Sequence, residues 1–160
     1  MATPQPKELE RKLSKWLTEE DFVVKSQKNP MASFILVASN PNAGISVTVS
    51  QNTKHPDRIE VSSQMMFGEY AKKLAELPKE DREEFLWDLR FSLVRSDVIF
   101  AMLPPENPQS VLVMKNIWYD GLTKDRFMSA VQRVSEGALL CSWKIVHRFG
   151  YLDQAASSTT

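Results

Sequence analysis

The stretch "ISVTVSQNTKHPDRIEVSSQ", Ile45 to Gln64, is the strongest pointer to the architecture. In its first half Ile45, Val47 and Val49 alternate with Ser46, Thr48 and Ser50. In its second half, Arg58 to Gln64, Ile59 and Val61 alternate with polar neighbours. A period of two marks a strand with one buried and one wet face. The link between the halves is too short for a helical crossover, so the two runs are predicted to pair antiparallel as a hairpin.

Nearer the N-terminus, "FVVKSQ" (Phe22 to Gln27) reads as a short strand. "SFILVAS" (Ser33 to Ser39) is almost wholly apolar, as a central strand can be, and "NPNAG" (Asn40 to Gly44) is a loop of turn-forming residues. Ahead of these, Leu9, Leu13, Trp16 and Leu17 fall on one face of a helix predicted over Lys7 to Glu20. Behind the hairpin, Gly68 to Leu77 reads as a short helical piece carrying Tyr70, Ala71 and Leu74. Pro78 then opens a helix to about Arg95, because proline is tolerated in a first turn and the acids Glu80 and Asp81 suit a helix N-terminus. Two more strands come next, "VIFAMLP" (Val98 to Pro104) and "SVLVMKNIWY" (Ser110 to Tyr119), separated by the proline-rich "PPENP". A last helix is predicted from near Lys124 to Phe149.

The expectation is a single α+β domain over residues 7–152. It has an antiparallel sheet of five or six strands and three main helices in the order α-β(3-4)-α-β(2)-α. Residues 1–6 and 153–160 read as disordered ends, since they are polar or proline-containing and carry little apolar mass.

Composition narrows the function. Twenty Lys and Arg balance twenty Asp and Glu, and a neutral total gives no support to phosphate-backbone binding, so no nucleic-acid partner is expected. The single cysteine, Cys141, excludes an intrachain disulfide and suits a reducing compartment. The N-terminus has no apolar segment of the secretory kind, and no run approaches the ~18 apolar residues of a membrane helix. The expected setting is the cytoplasm, away from a membrane.

Candidate chemistry is thin. At Trp118, Tyr119, Asp120 and Gly121 a strand meets a helix. Gly121 is free to take a positive φ, Thr123 is placed to cap the helix, and Asp125 adds charge to its first turn. Those roles make a turn. The competing reading is a ligand or catalytic cleft at Tyr119 and Asp120. "HPD" (His55 to Asp57) is the signature of J-domain co-chaperones, where it joins two helices; between two alternating β runs it reads as a turn. Two histidines and one cysteine are too few for a zinc site, so no metal is expected, and Cys141 falls on the inward stripe of the last helix with Phe127, Val134 and Ile145. The five glycines never form a phosphate-binding loop, so no cofactor is expected.

Three phrases, "KLSKWLTEEDF" (Lys12 to Phe22), "KEDREEFLWDLRFSLV" (Lys79 to Val94) and "YDGLTKDRFMSAVQRV" (Tyr119 to Val134), together with the element order, carry a resemblance. The chain resembles the secretion-chaperone-like fold of type III secretion chaperones and YbjN-like proteins, and in layout a family of small, uncharacterised, mainly archaeal proteins. The resemblance implies a non-enzymatic protein, often a homodimer, that holds an extended peptide, so a protein or peptide partner is expected. It brings no functional residue with it.

Two helices carry more apolar surface than a docked helix needs. On the helix after Pro78, Phe85, Leu86, Leu89 and Leu93 make one face, and Trp87, Phe91 and Val94 fall nearly opposite at 100° per residue. On the last helix Leu139, Trp143 and Val146 flank the core stripe. Either other parts of the chain cover these side chains or they form a protein interface, where Trp and Phe are enriched. The leading expectation is a non-catalytic protein-binding module acting as a homodimer, with these six residues at the interface. The alternative is the cleft at Tyr119 and Asp120.

Overall fold

The computed structural model describes residues 4–151. The elements are α1 (Pro6–Glu19), β1 (Val23–Gln27), β2 (Ala32–Asn40), β3 (Ile45–Asn52), β4 (Arg58–Met66), α2 (Glu69–Glu76), α3 (Lys79–Arg95), β5 (Ile99–Leu103), β6 (Ser110–Trp118) and α4 (Lys124–Phe149). A 3-10 turn over Tyr119–Gly121 precedes α4. The architecture is the α+β arrangement read from the sequence, with six strands. The reading of residues 153–160 as a disordered tail lies outside the described residues, as do residues 1–3.

The sheet order is β1-β2-β3-β4-β6-β5, antiparallel throughout. The β3–β4 hairpin forms as its alternation predicts, with Val49 opposite Val61. The connection through α2 and α3 lets β5 enter at the far edge and β6 return between β4 and β5. The β3–β4 ladder is short. It holds Thr48–Ser62, Val49–Val61 and Ser50–Glu60 and then stops, although β3 begins at Ile45 and β4 continues, paired to β6, as far as Met66. The two strands therefore splay where β3 starts and β4 ends.

Helices cover one face of the sheet. That face carries Phe34, Leu36, Val47, Val49, Ile59, Val61 and Val113, all buried. Leu9, Leu13 and Leu17 of α1, spaced by one turn, are buried against β1 and β2. Trp16 lies at the margin, half-buried, its ring 5.9 Å from that of Phe127. α4 crosses β3, β4 and β6, and α3 packs against α4 and β5. Among the described residues no helix lies over the other face, where Ile35, Val37, Thr48, Glu60, Met114 and Trp118 are half-buried or exposed. This qualifies the reading of "SFILVAS". The strand is interior, but only Phe34, Leu36 and Ala38 are buried, while Ile35 and Val37 look out on the open face.

α4 begins and ends where the sequence places it. The Thr123 hydroxyl accepts from the Arg126 backbone N–H at 3.2 Å, and Gly150 closes the helix with φ +77. The joint at Gly121 is the expected turn, made without the freedom that glycine offers. Gly121 does not use a positive φ, which is taken among the glycines by Gly44, Gly68 and Gly150. The strand-to-helix joint is made by the 3-10 turn instead, closed by the Leu122 N–H donating to the Tyr119 carbonyl. No helix among the described residues is long and apolar enough to cross a membrane.

Candidate functional site

Pro78 starts α3, a helix with two apolar faces. Phe85, Leu86, Leu89 and Leu93 are buried, and they satisfy the sheet and α4. Trp87, Phe91 and Val94 remain 53%, 59% and 65% exposed. These three side chains are already arranged as a surface. The rings of Trp87 and Phe91 stand 5.7 Å apart, and the Arg90 guanidinium lies 4.8 Å over the Trp87 ring while reaching the Pro105 carbonyl at 3.4 Å. Val94 carries the stripe on to a shallow groove of about 310 Å³, where Val98, Ile99 and Trp118 join it. The apolar surface thus turns from α3 around the start of edge strand β5 toward the open sheet face.

Leu139 and Trp143 on α4 are also exposed, at 43% and 65%, and Val146 is half-buried. The structure does not bring them to the α3 stripe. Lys144 binds Asp88 of α3 at 2.6 Å, so α3 lies on that flank of α4. Leu139, five residues earlier, is 140° away around the helix at 100° per residue. It lines instead a groove of about 830 Å³ running between α4 and the β2–β3 turn. The six residues form two surfaces.

The pair Tyr119 and Asp120 does not converge. Tyr119 is half-buried. Its hydroxyl accepts from the Gln51 side-chain amide and donates to the Arg58 carbonyl at 3.4 Å, and its backbone N–H donates to the Asp57 carbonyl at 3.2 Å. Burial pushes the phenol above its ordinary range, further than the Gln51 hydrogen bond pulls it down. Asp120 is exposed and lines a cleft of about 400 Å³ with Asp97, Lys115, Asp125, Arg126 and Arg133; Tyr119 is not part of its wall. In that cleft Lys115 pairs with Asp97 at 2.8 Å and holds its carboxyl below the usual range.

The "HPD" tripeptide is the β3–β4 turn. Gln51 Nε2 donates to the Pro56 carbonyl at 3.2 Å, and the His55 N–H donates to the Asn52 carbonyl at 3.0 Å. Cys141 is fully buried, and burial pushes its thiol up to about 12, so it is a core side chain and no nucleophile at neutral pH. His147, six residues on, is exposed. Among the described residues no group of three or more His, Cys, Asp or Glu is arranged to hold a metal ion.

Sequence reasoning missed Ile99 and Trp118, exposed at 52% and 49%, and the long groove beside α4. For Trp118 a signal existed. In β6, Val111, Val113 and Ile117 point inward, so Leu112, Met114 and Trp118 make an apolar second face. The groove had no such signal, because it arises where two strands part.

Residues 9–145 match the family described as uncharacterized conserved proteins, DUF2299, and the chain belongs to that family. It is also similar to an uncharacterized protein from Methanothermobacter thermautotrophicus, known from a crystal structure. The two are 31% identical, with a TM-score of 0.81 over 91% of this chain and 100% of that one. No curated protein matches the chain.

Proposed function

We propose that the chain is a non-catalytic protein-binding module, chaperone-like or adaptor in role, working in the cytoplasm as a homodimer joined through the outer stripe of α3. One observation carries the reading. After Phe85, Leu86, Leu89 and Leu93 have met the core, Trp87, Phe91 and Val94 are still more than half exposed, with the Trp87 and Phe91 rings already in contact. Contiguous exposed apolar surface of this kind marks contact sites, and a two-fold axis lets one patch meet its own copy. Burying a Phe or Val side chain fully is worth about 1.5–3 kcal/mol, and each copy contributes the same set. The resemblance of the element order to that of secretion-chaperone-like proteins supports the same reading. The alternative, a ligand or catalytic cleft at Tyr119 and Asp120, has less support, because the two side chains do not share a cavity.

Light scattering across a dilution series tests the dimer. The wild type is expected to run as a dimer that dissociates on dilution, and Trp87→Asp to shift it strongly toward monomer by placing a charge in an apolar contact. A wild type that stays monomeric at high concentration, or a Trp87→Asp chain that stays fully dimeric, removes the interface.

A further inference from the structure

We infer that the groove between α4 and the splayed ends of β3 and β4 binds an extended, basic and apolar peptide segment of a partner protein. The inference rests on the binding-module reading but not on the α3 dimer, which lies on the other flank of α4.

Three features point to that occupant. The first is shape. α4 lines the groove from Asp125 to Ser142, about 25 Å at 1.5 Å per residue. That length takes about seven residues of extended chain. The second is the floor. Ile45, Met65, Met128 and Leu139 are apolar, and methionine adapts to differing side chains. Beside them the β3–β4 ladder has ended. Past Ser63, whose hydroxyl still reaches the Ser46 carbonyl at 3.0 Å, the edge of β4 that faces β3 has no strand partner among the described residues as far as Met66. An extended peptide uses such main-chain groups for affinity and alternate side-chain pockets for selectivity.

The third feature is charge. Among the described residues, the charged ones lining the groove are Glu20, Asp125 and Glu136, with no Lys, Arg or His. Lys124 engages Glu20 at 3.0 Å from outside the groove, which leaves Asp125 and Glu136 as the carboxylates facing an occupant. A second copy docked groove to groove about a two-fold axis would bring carboxylates against carboxylates. A basic segment meets complementary charge, which favours one partner and disfavours acidic ones.

The probe is a set of labelled octapeptides in which Lys or Arg alternates with Leu, Val or Met, with matched versions carrying Glu at the basic positions. Fluorescence anisotropy on the full chain is expected to give saturable binding of a basic member, weakening with added salt, and none of its acidic counterpart. Glu136→Lys/Leu139→Lys changes two exposed side chains, so the fold is kept, and is expected to weaken binding about tenfold or more. Glu76→Lys/Glu106→Lys makes an at least equal charge change away from the groove and is expected to leave binding unchanged. Amide shifts on titration are expected at Ser63–Met66 and along Met128–Ser142. No saturable binding by any basic member, an equal loss in both double variants, or shifts confined to α3 would overturn the groove. A chain that dimerises yet takes no peptide sinks this inference alone; one that takes peptide as a monomer sinks only the α3 interface.

Discussion

Gly137 of α4 lies against Val113 of β6 so closely that a Cβ added to the glycine would stand 2.8 Å from Val113 Cγ1 and 3.6 Å from Val98 Cγ2. The helix can rest on the sheet at this height only because position 137 has no side chain. In an open helix, alanine would improve on glycine by about 1 kcal/mol. Here the added methyl meets a β-branched side chain on an interior strand, and overpacking costs about 1–3 kcal/mol. Gly137→Ala is therefore expected to destabilise the domain by up to about 2 kcal/mol in urea unfolding. Combining it with Val113→Ala should cost less than the sum of the two single changes by at least about 0.5 kcal/mol. Strict additivity would mean the contact does not set the height of α4.

The two faces of α3 make a sharper comparison, since Trp87 and Leu89 are two residues apart. Leu89 is fully buried and Trp87 is 53% exposed. Leu89→Ala is expected to cost about 2–5 kcal/mol through lost burial and the cavity left behind. Trp87→Ser should cost clearly less, about 1 kcal/mol, in dilute, monomeric protein, since more than half of the ring is already in water and its aromatic and cation–π partners are Phe91 and Arg90. Urea midpoints at low concentration check both. A Trp87→Ser loss as large as that of Leu89→Ala would make the outer stripe part of the monomer core.

The features legible in the sequence were periodic. Alternation gave β3, β4 and their pairing, and 100° spacing separated the buried and outer faces of α3, because both patterns are properties of one segment and its solvent. The limits of α4 were legible through Thr123, whose cap chemistry is local. The order that seats β6 between β4 and β5 was not, since it depends on how α2 and α3 route the chain. Nor was the separation of the α3 and α4 stripes, which follows from how α3 docks beside α4, with Asp88 meeting Lys144 across 56 residues. The kind of turn at Gly121 was not legible for a related reason. Glycine permits a positive φ but does not require it, and a 3-10 turn met the same need.

Lys124 ties the start of α4 to the end of α1, binding Glu19 at 2.9 Å and Glu20 at 3.0 Å. The hydrogen bond to Lys124 holds the Glu19 carboxyl below its ordinary 4.5, and the same bond holds the ammonium above its ordinary 10.5. A lowered carboxylate contributes stability that is present above 4.5 and lost as pH falls through the lowered value. A raised ammonium contributes stability that is present below 10.5 and lost as pH rises through the raised value. Lys124→Met should thus be less stable than wild type at neutral pH, with the difference closing in acid and shrinking with salt. Urea midpoints measured from strong acid to neutral pH track it. A difference that does not change with pH would assign the loss to packing of the lysine stem.

Gln51 is 1% exposed on the inner face of the sheet, and its amide nitrogen serves both the Pro56 carbonyl and the Tyr119 hydroxyl, while its Oε1 has no partner among the described residues. The side chain thus joins the β3–β4 turn to the end of β6, and Tyr119 is held for that purpose. Tyr119→Phe leaves the buried amide short of one acceptor, and an unmet buried group costs about 1–3 kcal/mol. Gln51→Leu keeps the volume and removes the unpartnered oxygen, but strips a donor from a half-buried phenol and from the carbonyl of Pro56, an exposed turn residue. Its cost should sit near the low end, about 1 kcal/mol. Making both changes replaces the polar pair with apolar groups of similar shape, so the double variant should lose less than the two singles together, by about 0.5–1 kcal/mol. Urea unfolding of the four proteins closes the cycle. Zero coupling would free the Tyr119 hydroxyl from this structural duty and return it to consideration as a functional group.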